Sequence, residues 1–152
     1  MTLHKSAAVN AGIMPDYAMA GVVLCRSSEH VTADDSLVSG DTLQMVPIPK
    51  DAKVLQIQVY YSALPANTTG CQIGYGGDPN AFMAPVPMTG VNIKMSPSQT
   101  AGLTNVAGFL HTFTADDTID IAFSKATTKI PTSQHLKLTV WYKMTGTIND
   151  ES

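Results

Sequence analysis

Four histidines, His4, His30, His111 and His135, are the side chains best suited to bind a metal or move a proton, yet they stand apart along the chain. Two ligands must project from one strand or helix face, as HxH or HExxH spacing allows, and neither pattern occurs. His111, flanked by Phe109 and Phe113, reads as a core or interface histidine on the inner face of a strand. Glycoside hydrolysis needs two carboxylates about 5–10 Å apart in a cleft. Asp34, Asp35, Asp116, Asp117 and Asp120 are the candidates, but neighbouring aspartates in turns usually act as solvated caps. The calcium loop DxDxDG is absent, and no GxSxG elbow activates a serine. Gly74-Tyr75-Gly76-Gly77-Asp78 lacks the lysine and the following helix of a phosphate loop, so its glycines read as strand-end residues. Cys25 and Cys71 form no CxxC and read as two buried free thiols, bridged only if their strands are neighbours. The expectation is a chain with no catalytic residue, no metal and no cofactor.

The elements behind these residues are strands. Leu55, Ile57, Val59 and Tyr61 alternate with Gln56 and Gln58 in the run 54–61, so the first four face inward and the glutamines outward. In the run 136–144, Leu136, Leu138, Val140, Tyr142 and Met144 face inward, with Lys137, Thr139, Trp141 and Lys143 outward. Ile119, Ile121 and Phe123 form a third inner face. Weaker strand candidates are 21–26, 42–48, 71–75, 91–95 and 107–113, separated by turn-forming residues at 40–41, 49–51, 65–67, 76–80, 96–98 and 116–117. The tetrapeptide Thr-Ala-Asp-Asp recurs at 32–35 and 114–117, which suits two turns of the same Asx chemistry. About eight short antiparallel strands bury one face each most simply as two packed sheets. The predicted fold is therefore all-β, an antiparallel β-sandwich of the jelly-roll kind. An immunoglobulin-type sandwich is less suitable, because Trp141 follows both cysteines.

At about 100–200 residues per domain, 152 residues make one domain. Residues 1–20 lack alternation and read as an N-terminal arm, with at most a marginal helix over 6–10. Residues 21–146 form the sandwich, and 147–152 a polar tail. Only 14% of residues are charged, the formal net charge is -3, and Arg26 is the sole arginine. Phosphate binding draws on clustered lysine and arginine, so nucleic acid is a poor partner. No apolar run approaches the roughly 18 residues of a membrane span, and no signal peptide is evident, so the chain reads as made in a cytoplasm. The sequon at Asn67 would then go unused.

What remains is surface. Trp141, Tyr60 and Val54 fall on outer strand faces otherwise lined by Gln, Thr and Lys, and the eight methionines include Met14, Met19, Met83 and Met88 in arm and loop positions. Aromatic residues and methionine are enriched at protein contacts. Met14, Tyr17, Met19, Tyr60 and Trp141 are the candidate interface residues.

The run 40–55, Gly-Asp-Thr-Leu-Gln-Met-Val-Pro-Ile-Pro-Lys-Asp-Ala-Lys-Val-Leu, is followed by Gly74-Tyr75-Gly76-Gly77-Asp78-Pro79-Asn80-Ala81-Phe82. Over residues 40–82 the sequence resembles small structural proteins of tailed bacteriophages, in particular the jelly-roll head decoration, or cement, proteins. The resemblance implies a non-enzymatic virion protein on the capsid surface that ties neighbouring major capsid subunits together. It also implies a homo-oligomer, with a trimer favoured. A tail or fibre module that binds another virion protein or a host glycan is the alternative.

Overall fold

The computed structural model describes residues 3–5, 23–32, 37–62, 70–88, 92–97, 107–124 and 133–145. They form nine strands and one short helix: β1 (Leu3–Lys5), β2 (Val23–Val31), β3 (Thr42–Ile48), β4 (Ala52–Tyr61), β5 (Cys71–Tyr75), β6 (Asp78–Val86), β7 (Asn92–Ser96), α1 (Ala107–Leu110), β8 (Asp117–Phe123) and β9 (His135–Met144). One sheet has the order β2-β9-β4-β7, the other β1-β3-β8-β5-β6. Without β1, each sheet has four antiparallel strands. Successive strands cross between the sheets at every step from β2 to β9 except the β5–β6 hairpin, which is jelly-roll topology. The all-β sandwich expected from the alternation is therefore the fold.

Sequence dictates much of this directly. On β9 the five alternating residues Leu136, Leu138, Val140, Tyr142 and Met144 are all buried, while Lys137 and Lys143 are exposed. The phase of β4 is different from the simple alternation. Val54 pairs with Tyr142 and Gln56 with the adjacent Trp141, so Leu55 is an extra residue in a β-bulge. Val54 is consequently buried in the core, not on the outer face, and Leu55 is only half-buried. A similar shift between Gln44 and Val46 in β3 places Met45, Val46, Pro47 and Ile48 all out of water.

Strand β6 escapes the turn-based reading. Asp78, Pro79 and Asn80 look like a turn in sequence, but Gly76-Gly77 alone make the two-residue hairpin loop and the strand begins at Asp78. Pro79 and Pro85 are tolerated because β6 is the edge strand of its sheet, where a missing N–H costs no ladder bond. Gly74 is required for a separate reason: a Cβ there would lie 2.0 Å from the Asp78 carbonyl oxygen.

The segment 107–113 is a helical turn and coil rather than a strand. It closes one flank of the sandwich with rings. Phe109 meets Phe82 edge-on at 5.2 Å, and His111 stacks on Tyr75 at 4.6 Å and meets Phe113 edge-on at 4.9 Å. Gly108 lets α1 press on Phe82, since a Cβ would sit 2.4 Å from the ring. Main-chain bonds from Asp51 to the Phe113 carbonyl and from Phe113 to the Ala52 carbonyl tie the segment to the start of β4. The core these elements enclose runs from Leu37 and Leu43 through Ile57, Ile73, Phe82 and Ile121 to Leu138 and Tyr142.

Candidate functional site

The residues suspected of chemistry are dispersed by the fold. The His135 Nδ1–H donates to Glu29 Oε1 at 2.7 Å on the surface, whereas His111 belongs to the ring cluster. Asp116 accepts from the Lys50 N–H at 2.8 Å, which joins two loops distant in sequence, and Asp117 accepts locally from the Thr118 N–H, so both serve main-chain donors. Among the described residues no three His, Cys, Asp or Glu side chains come together as a metal site. Asp34 and Asp35, like Met14, Tyr17 and Met19 and the 6–10 segment, lie outside the described residues.

The thiols differ in environment. Cys71 is buried in β5, and burial pushes its pKa up to about 12. Cys25 is exposed on β2 in the other sheet, contrary to the expectation of two buried thiols, and both are free. Met83 and Met88 likewise are core residues with no exposure, not loop contacts.

Asp120 departs most from a solvated aspartate. It projects from β8 away from the core, between Gln44 of β3 and Gly74 of β5, but is only 5% exposed. Burial raises its carboxyl to about 7; the nearby Thr118 hydroxyl offsets part of the rise, and the charge of Asp117 adds to it. Neither Asp120 Oδ1 nor Thr118 Oγ1 makes a hydrogen bond of good geometry. A carboxyl held in this way can pass a proton near neutrality, but the one carboxylate that acts on it, Asp117, is itself held by the Thr118 N–H.

Tyr60 and Trp141 are brought onto one face, as the alternation required. On the outer side of the β2-β9-β4-β7 sheet, Glu29, Lys137, Tyr60 and Ile93 form one cross-strand row, Ser27, Thr139 and Gln58 lie in the next, and Cys25, Trp141 and Gln56 follow. The side chains of Gln58, Tyr60, Ile93, Lys137, Thr139 and Trp141 line an open depression of about 530 Å3. Trp141 is four residues from Lys137, the partner of Tyr60, so the two backbone positions stand roughly 13 Å apart along the strands. Ile93, 51% exposed, was absent from the sequence-based set because β7 shows little alternation. Ser27 and Thr139 share a hydroxyl hydrogen bond of 2.7 Å across the face. The floor is rigid sheet, the walls mix aromatic, amide and ammonium groups, and nothing in it is poised as a nucleophile or base. Such a face binds.

The chain is similar to a protein in a structure titled "Capsid of Ralstonia phage GP4". The TM-score is 0.73 at 14% identity, over 95% of this chain and 99% of that one. A chain of the "Cyanophage Pam1 capsid asymmetric unit" superposes with a TM-score of 0.54 at 17% identity, over 87% and 91% of the two chains. At these identities the likeness establishes the shared sandwich fold. The sequence matches no protein-family model and no curated protein. Among the described residues no helix is long and apolar enough to cross a membrane.

Proposed function

We propose that this chain is a structural component of a phage virion, which binds the outside of the capsid and cements neighbouring major capsid subunits without catalysing a reaction. The observation that carries the reading is the likeness over nearly the whole of both chains to a protein of the GP4 capsid. The molecule's own surface supports it. The sheet face with Trp141 and Tyr60 offers area and shape in place of a reaction centre. Met14, Tyr17 and Met19 of the N-terminal segment complete the contact. Cyclic association as a trimer would set identical faces around an axis, and many modest contacts then add through avidity. The fibre-module alternative rests on the same rings, since an aromatic platform with amide and hydroxyl neighbours also suits a sugar.

The test is addition of purified protein to expanded heads of the phage that encodes it. Stoichiometric attachment and greater resistance of the heads to heat are expected, with weaker attachment of the triple variant Met14→Ala/Tyr17→Ala/Met19→Ala, which keeps β1 in place. Heads that take up no protein would refute the reading, and specific glycan-array binding in their place would favour the fibre module.

A further inference from the structure

The lysines on the depression's sheet are unevenly compensated. At one end Lys137 faces Glu29 across the β9–β2 pair, and Glu29 also bonds His135. At the other end Lys53 and Lys143 are directly opposite each other in the β4–β9 register, next to Trp141. Like charges directly opposite on one sheet face repel and weaken the pairing. Among the described residues neither lysine makes an ion pair, and Glu29 is the sole acid on this face. Three lysines against one glutamate on one face contrast with a whole chain of net charge -3. The pair costs the isolated fold a little stability, and an anion bound between the two ammonium groups would relieve that repulsion.

We infer that this face receives an acidic segment of a major capsid subunit, which sets an apolar side chain in the depression between Trp141 and Tyr60 and carboxylates against Lys53 and Lys143. This rests on the capsid-binding reading and specifies its contact. The spacing suits one extended segment: Lys143 is four residues beyond Thr139, which lies midway between the Tyr60 and Trp141 rows, roughly 13 Å along the strand, so anchor and carboxylate lie about four residues apart on the partner. An aromatic pocket supplies the affinity, and the lysine pair gives orientation and on-rate.

Co-sedimentation of the full-length chain with expanded heads tests this, using Trp141→Ala, the double variant Lys53→Glu/Lys143→Glu, and Leu110→Ser as a control on exposed α1. Circular dichroism melting confirms that each variant is folded. The expected result is wild-type binding, a loss of about tenfold or more for both face variants, and none for Leu110→Ser. Raising salt towards 1 M, where the screening length falls to about 3 Å, should bring the wild type towards the charge-reversed variant. If the wild type itself fails to bind, the capsid reading falls and the occupant with it. If the wild type binds and both face variants bind equally well, only this inference is overturned. Loss with Trp141→Ala but no effect of charge reversal at any salt overturns the acidic partner.

Discussion

Thr139 and Ala122 sit on inner strands of their respective sheets, and both turn away from the core, yet they meet different surroundings. Thr139 stays partly open at the floor of the aromatic depression, whereas Ala122 is 7% exposed and lies beside the equally closed Asp120 and Thr118. The outer side of β9 is thus partly open, whereas that of β8 is closed even though Gln44 and Gln72 beside it stay half-buried. The difference teaches that alternation locates the core-facing side of a strand but does not say whether the opposite side is wet. A strand such as β8, buried from Thr118 to Phe123, carries a polar residue into the interior whenever the second face is covered.

Replacing Asp120 with Asn should give the largest contrast. The folded carboxyl keeps its proton to about pH 7, while the unfolded one releases it near the ordinary 3.8. The unfolded state therefore binds fewer protons between these values, and stability falls as pH rises through that window, by up to about 4 kcal/mol. Urea unfolding of Asp120→Asn should be markedly flatter between pH 4 and pH 8 and more stable than wild type at the upper end. A wild-type stability that does not fall over this range would remove the contrast between the two faces.

Matched lysine substitutions sharpen it next. Ala122→Lys forces an ammonium group into a closed face and should cost about 3 kcal/mol. Thr139→Lys adds one to an open face and should stay within about 1 kcal/mol. Chemical denaturation of the pair measures both. The smallest effect is on reactivity. In the native protein a maleimide should label Cys25 and leave Cys71 unmodified, because Cys71 is buried and its thiolate is suppressed; mass spectrometry should find one adduct, and two after denaturation.

The residues also show where sequence reasoning stops. β9 was legible to the last side chain because no irregularity interrupts its period of two. β4 was legible as a strand but half out of phase, since a bulge is a property of the pair and Leu55 carries no mark of it. β6 was hidden by prolines whose tolerance depends on being at an edge, a fact of topology. The segment 107–113 looked like a strand because its rings recur, but they meet Phe82 and Tyr75 from a helical turn and a coil. On the outer face of the β2-β9-β4-β7 sheet, Tyr60 and Trp141 were readable from outward parity; the opposed Lys53 and Lys143 needed the register.

Strand β1 contributes only Leu3–Lys5, paired in parallel with Thr42–Gln44 of β3. Those three residues occupy the open ladder of a sheet that would otherwise end at β3. A protease that cut after Lys5 would uncover a row of unsatisfied amide and carbonyl groups, and two cut molecules would pair there, edge to edge, as a dimer. Shelf life of a purified sample would then depend on keeping its first five residues intact, a quantity that intact-mass measurement follows from day to day.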